Sequence, residues 1–245
     1  MIHLDVLFFV LALFAEITGT MAGFGSSTIF LPIALFFFDF KTALILVAIF
    51  HASGNMGRIT FFRYGLDKDL LIRFGLPSVI FTMIGAMLIN FISQPVLIFI
   101  LGVFLGLYGV LFLYKPDLSL RPTLKNNIIG GILSGFFAGM IGTGGALRGA
   151  FLSSFKLERS IYISTMAAIS LAVDITRIPI YLESGYLPAT HYYFVPLLFL
   201  TAMMGSYLGK RIVYRIPQEQ FRMFVLLFII LIGSKFIYEG LDSLL

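Results

Sequence analysis

Apolar runs of membrane length follow one another along this chain, and glycine breaks interrupt two places where a further crossing would be expected. Runs near residues 4–21, 42–63, 69–92, 95–114, 160–182, 190–212 and 217–239 approach or reach the roughly 20 helical residues that a hydrocarbon core requires. The stretches 26–38 and 145–155 are too short to cross. Each follows a glycine-rich break, so residues 1–38 and 128–155 each read as a helix, a break and a short returning helix. The bilayer is the solvent for this chain. The fold class follows as an all-α polytopic membrane protein, a single transmembrane domain over 1–245.

Composition narrows the functions open to it. Only 12% of the 245 residues are charged, too few for a soluble surface. The formal net charge of +5 comes from basic residues in short connections, where they orient the chain and form no face for nucleic acid. With no cysteine, disulfides and thiolate metal sites are excluded. Three histidines, at 3, 51 and 191, are a poor basis for haem or a histidine-rich metal site, and no cofactor is expected. "MIHLDVLFFVLALFAEITGTM" has no basic leader or A-x-A pattern and carries Glu16, so a cleaved signal peptide is not expected.

The two breaks belong to a repeat. A shift of 119 residues lays Gly23 on Gly142, Gly25 on Gly144 and Ser26 on Gly145. It also lays "NMGR" (Asn55 to Arg58) on "DITR" (Asp174 to Arg177) and Pro77 on Pro196. The chain therefore reads as repeat 1 over 1–114, a cytoplasmic linker over 115–127 and repeat 2 over 128–245. Basic residues cluster at Arg58, Arg63, Lys68 and Arg73, at Lys115, Arg121 and Lys125, at Lys156 and Arg159, and at Lys210, Arg211, Arg215 and Arg222. The positive-inside rule puts these four regions in the cytoplasm. The connections near 39–41, 93–95 and 183–191 carry no Lys or Arg except Lys41 and read as external. Alternation then requires the first hairpin to enter and leave outside and the second inside. The halves are expected to be inverted repeats, each a broken hairpin plus three transmembrane helices, a plan found in secondary transporters.

At this point the chain resembles the sulfite exporter family, also called TauE/SafE-type membrane transporters. The resemblance rests on "AGFGSSTIFLP" and "AGMIGTGGALRGAF", one opening each half, and on "HASGNMGRITFFRYG" and "STMAAISLAVDITRIPIYLESG" in the helices that follow. The first motif departs from the commoner triple-glycine form, with Ser26 and Ser27 in the last two positions. The resemblance implies movement of small anions, sulfite and organosulfonates among them, across a prokaryotic cytoplasmic membrane.

The residues themselves suggest an anion site. A hairpin tip in the membrane must line a protein cavity, because lipid cannot satisfy its backbone. The N–H groups at the start of each returning helix then face that cavity and favour an anion. Candidate substrate-binding residues are Gly23, Gly25, Ser26, Ser27, Gly142, Thr143, Gly144, Gly145 and Arg148, the serines and threonine as caps or hydroxyl donors. Arg148 lies one helical turn past the second break and has Ile29 as its repeat mate. It either matches a sulfonate or carboxylate with two parallel hydrogen bonds or snorkels to the inner interface.

Glu16, His51, Asn55, Arg58, Asp174 and Arg177 are candidates for gating or ion coupling. Asp174 and Arg177, three apart on a helix, suit a local ion pair. Arg58 has no acidic partner in its own motif and reads equally as an orienting charge at the inner interface. Glu16 serves either as a proton carrier or as an arginine's counter-ion. His51 faces the same side as Asn55, for packing, proton coupling or ligand donation. The expected partners are a small anion, the lipid bilayer and a coupling proton or cation. A passive anion channel is the alternative, and a Ser/His intramembrane hydrolase using "FGSST" and His51 is the remote one, since its serines have no nucleophile in the repeat.

Overall fold

The computed structural model describes residues 2–22, 25–62, 65–115, 118, 121–152, 155, 157–212 and 218–244. Gly23, Arg63, Lys156 and Arg215 lie outside the described residues, as do the side chains of Arg159 and Arg222. The described chain is helical and contains no strand. The first half holds α1 (Ile2–Ala22), the short α2 (Ser27–Ala34), α3 (Phe40–Phe61), α4 (Lys68–Leu70), α5 (Leu76–Leu88) and α6 (Gln94–Tyr114). The second holds α7 (Leu124–Ile141), the short α8 (Gly145–Leu152), α9 (Arg159–Glu183), α10 (Phe194–Ile212) and α11 (Gln218–Asp242). Among the described residues, seven helices are long and apolar enough to cross a membrane.

Local chemistry sets the ends and the irregularities. Asp39 caps α3, its carboxylate accepting from the Lys41 and Thr42 amides at 3.1 and 3.2 Å. The Thr123 hydroxyl does the same for α7, accepting from the Asn126 amide at 3.2 Å. A π-helical turn over Leu71–Gly75 joins α4 to α5 just before Pro77. Proline has no N–H to give to the preceding turn, and a widened turn is one way a helix accommodates that loss. The Ser78 hydroxyl donates to the Phe74 carbonyl at 2.9 Å beside it.

Packing shows how the two ends are assembled. α1 runs beside α10 in the same direction, from the Tyr193 hydroxyl donating to Asp5 at 3.2 Å to Thr20 against Gly209. α7 runs beside α5 in the same way, with Gly131, Gly135 and Gly139 against Phe74, Ser78 and Thr82. α3 also packs on α10, α9 on α5, α3 crosses α9, and α6 pairs with α11. At one end Lys210 donates to the Phe61 carbonyl at 2.6 Å, and the Ser164 hydroxyl donates to the Gly65 carbonyl at 2.6 Å. At the other end Asn90 bonds Ser184 and Tyr186, and Lys41 lies over the Tyr186 ring. The described basic connections thus share one end, and the connections expected outside share the other.

The hairpins enter from opposite ends. Phe8 near the start of α1 packs on Phe37 and Phe38 after α2, so the first hairpin opens and closes at the Lys41 end. Phe151 late in α8 meets Phe74, and Leu152 joins Leu70, so the second opens and closes at the basic end. The distribution of side chains is inverted relative to a soluble domain. Leu107 and Leu231 are about 70% exposed in mid-helix, whereas Glu16, Arg58, Arg148, Asp174 and Arg177 are buried. Lipid is the environment in which that pattern is stable.

The close approach of α7 to α5 needs glycine. A Cβ at Gly135 would overlap the Ser78 backbone, whereas one at Gly106 on α6 would meet only Ile237 at 3.8 Å. Gly135→Ala is therefore expected to cost about 1–3 kcal/mol, as overpacking does. Gly106→Ala should be neutral or slightly stabilising through helix propensity. Unfolding midpoints of the two variants in the same detergent test the contrast.

Candidate functional site

The two returning helices point their N-termini at each other in the interior. α2 starts after Gly25, which has φ +92°, and α8 starts after Gly142, which has φ +74°. Both values lie in the left-handed region where a side chain is strained, and they let the chain reverse within a few residues. The Thr28 and Thr143 hydroxyls meet at 2.7 Å and join the two starts. The first amides of each short helix have no carbonyl within their own helix to bond, so two sets of N–H groups converge on one region. Of the two roles open to Ser26, capping α2 or offering its hydroxyl elsewhere, capping does not occur. The Ser26 hydroxyl makes no cap bond and accepts from Arg58 Nη2 at 3.3 Å.

A chain of charged and amide groups surrounds this region. Arg58 donates through Nη2 to Glu16 Oε1 at 2.6 Å, through Nε to the Thr20 hydroxyl at 3.2 Å and through Nη1 to Asn55 Oδ1 at 2.7 Å. The Ser206 hydroxyl donates to the same Glu16 oxygen at 2.8 Å. The Asn55 amide then donates to Asp174 Oδ2 at 3.1 Å, crossing from one half to the other. Asp174 Oδ1 accepts from Arg177 Nη2 at 2.8 Å, and Arg177 Nη1 donates to the Ala138 carbonyl at 2.7 Å on the α7 side of the break. His51 Nδ1 lies 2.8 Å from Asp174 Oδ2.

Arg58 is therefore not an orienting charge at the inner interface. It is 5% exposed and its counter-ion is Glu16 on another helix. The local Asp174–Arg177 pair is present as the spacing suggested. Arg148 does not snorkel: it is 1% exposed and donates through Nη1 to the Ser170 hydroxyl on α9. No carboxylate pairs with it among the described residues, and its Nε has no partner. His51 Nε2 and Glu16 Oε2 are the other buried side-chain atoms left without a partner among the described residues.

Around Arg148 lies a small cavity of about 10 Å³, room for one water-sized group, that also touches Ser27, His51, Gly144, Gly145 and Ser170. The Ser27, His51, Arg148 and Ser170 side chains that line it are buried. A second small cavity of about 10 Å³ lies between Arg58, Gly25 and Ser170. An apolar cleft between α1, α2 and α11 is roomier, but Thr18 and Lys235 are its only polar lining residues, so it offers an anion little. Of the sequence candidates, Gly25, Ser26, Ser27, Gly142, Thr143, Gly144, Gly145 and Arg148 gather with the six gating candidates into one interior cluster. Gly23 lies outside the described residues.

Sequence reasoning missed Ser170, Thr28, Thr20 and Ser206. Ser170 had a signal: it stands 119 residues after His51, the same offset that relates Asn55 to Asp174. The others are hydroxyls inside apolar helices, with no pattern to announce which face they take.

A multi-pass membrane protein whose buried polar core encloses an uncompensated arginine, reached by two helix N-termini, has the makings of an anion transporter. The chain belongs to the sulfite exporter TauE/SafE family, whose model matches residues 8–236. That is a family of membrane transporters of sulfur anions. No curated protein matches the chain.

The Glu16–Arg58 pair carries a stability prediction. Removing one partner of a buried pair strands the other charge, so Glu16→Ala should cost about 3–5 kcal/mol. The double variant Glu16→Ala/Arg58→Ala should lose less than the two single losses combined. A double-mutant cycle on unfolding in detergent tests this, and strictly additive losses would show that the two groups are uncoupled.

Proposed function

We propose that this protein is a secondary transporter of a small sulfur oxoanion or sulfonate in the cytoplasmic membrane, working by alternating access around Arg148. The observation that carries the reading is the charge of the interior. Three buried arginines face two buried carboxylates, so with His51 neutral the described core holds one positive charge that nothing neutralises. A buried cation without a partner costs several kcal/mol, and a bound anion removes that cost. The convergent N–H groups of α2 and α8 and the Ser27, Thr143 and Ser170 hydroxyls supply the remaining hydrogen bonds. A planar guanidinium suits a trigonal or tetrahedral oxoanion, to which it can donate two parallel bonds.

Inverted repeats over 1–114 and 128–245 fit this reading. Two large packing partnerships have counterparts under the repeat: α1 on α10 with α7 on α5, and α3 on α10 with α9 on α5. Such a pair of halves supports two mirror states that open to opposite sides. Repeats with broken helices favour a carrier with alternating access over a passive channel. The two ion pairs flank the site and join through Asn55, which suits them to gating. Among the described residues no hydroxyl bonds His51 Nε2, the contact that a Ser/His hydrolase would use.

Proteoliposomes loaded with labelled sulfite, a sulfonate and a plain carboxylate test the proposal. Saturable flux of a sulfur anion is expected, and Arg148→Ala should reduce it at least thirtyfold, the ratio for about 2 kcal/mol of lost charge pairing. Arg148→Lys should recover little, because an ammonium lacks the fork. Undiminished transport by a folded Arg148→Ala protein would move the site elsewhere.

A further inference from the structure

We propose that His51 is the specificity residue of this anion site and that it takes up one proton with each doubly charged oxoanion, so that mono- and dianions bind as the same net charge. The inference rests on the anion-site reading above and deepens it. His51 projects from α3 into the cavity shared with Arg148 and Ser170. Its Nδ1 is held by Asp174 at 2.8 Å, and its Nε2 is buried with no partner. A Cβ at Gly25 would come within 2.8 Å of that Nε2, so only a residue without a side chain leaves this edge of the ring open.

The Asp174 contact fixes which nitrogen changes. A carboxylate accepts a hydrogen bond, so Nδ1 carries a proton whether the ring is neutral or charged. Nε2 is then a bare lone pair in the neutral ring and a donor in the charged one. The other charged groups around it are committed: Glu16 of α1 with Arg58 of α3, and Asp174 with Arg177 of α9. α8 brings Arg148, which has no counter-ion, and α10 brings the Ser206 hydroxyl. A monoanion with an apolar tail neutralises Arg148 and turns its tail to the Nε2 lone pair. A dianion leaves one negative charge over and sets an oxygen against that lone pair. Protonation of Nε2 corrects both faults at once, giving a second positive charge and an N–H···O bond. The proton comes from water, and no covalent bond to the anion forms or breaks.

Sulfate and methanesulfonate provide the test, being tetrahedral about sulfur and differing in one substituent, O⁻ against CH₃. Their affinities for the purified full chain in detergent would be measured by calorimetry between about pH 5.5 and 8.5, across the ordinary range of histidine. Sulfate affinity is expected to fall up to tenfold per pH unit on the alkaline side, and methanesulfonate affinity to stay flat. His51→Asn keeps a donor near the Nδ1 position, so Asp174 stays paired. It should flatten and weaken sulfate binding and lower the preference for sulfate over methanesulfonate at acid pH. His51→Gln, a permanent neutral donor near the Nε2 position, should bind sulfate with a flat profile and serves as the second variant. Equal pH profiles for the two anions, or a sulfate profile that His51→Asn does not change, overturns the inference. Methanesulfonate binding that depends on Arg148, with no sulfate binding at any pH, overturns it and leaves the transporter reading intact. Failure of the wild-type protein to bind either anion removes both.

Discussion

The fold is organised around charges that lipid cannot hold. Glu16 and Arg58 on one side, Asp174 and Arg177 on the other, and Asn55 bonded to both pairs form one continuous hydrogen-bonded chain in a molecule whose outside is apolar. Each of these groups would be costly alone in hydrocarbon, so each constrains where its helix sits. α1 must bring Glu16 to α3, and α3 must bring Asn55 to α9. Between membrane helices the hydrophobic effect gives little preference for one packing over another. The polar chain and the glycine contacts supply the preference here.

Arg148 departs from that economy. It sits in the same interior, without a carboxylate, at the start of a helix whose amides also carry partial positive charge. Such an arrangement is stable enough to fold because the paired charges hold the surrounding helices in place. It still leaves one electrostatic demand that an incoming anion meets. On the proposed function, stability and transport rest on different arginines, and the distinction between them is whether a carboxylate lies within reach.

Parts of this were readable in the sequence, and the limits have physical causes. The Asp174–Arg177 pair was legible because both partners lie within one helical turn. The Glu16–Arg58 pair joins residues 42 apart, and no local rule says which buried acid meets which base. Arg58 therefore read equally as an orienting charge and as a functional one, since it stands five residues before Arg63 in a basic region. The position of Ser26 suits either a cap for α2 or a free hydroxyl, and a guanidinium in reach recruited that hydroxyl. Ser170 is the instructive omission. The repeat offset pointed to it, and its importance follows only from Arg148 lying against it.

What the sequence determined by itself is the solvent, the secondary structure and the plan. Apolar runs of bilayer length leave helices as the form that satisfies the backbone here, and glycine breaks mark where two of them turn back. The 119-residue offset pairs the motifs, and basic connections sort the ends. Tertiary structure alone decided that Arg58 pairs with Glu16, that Arg148 is left over, and that His51 lines the same cavity with its Nε2 unpartnered beside Gly25. The reason is one of range. Periodicity and hydropathy act over a helical turn or a membrane thickness along the chain, whereas pairing in a low-dielectric interior depends on ångström distances between helices far apart in sequence.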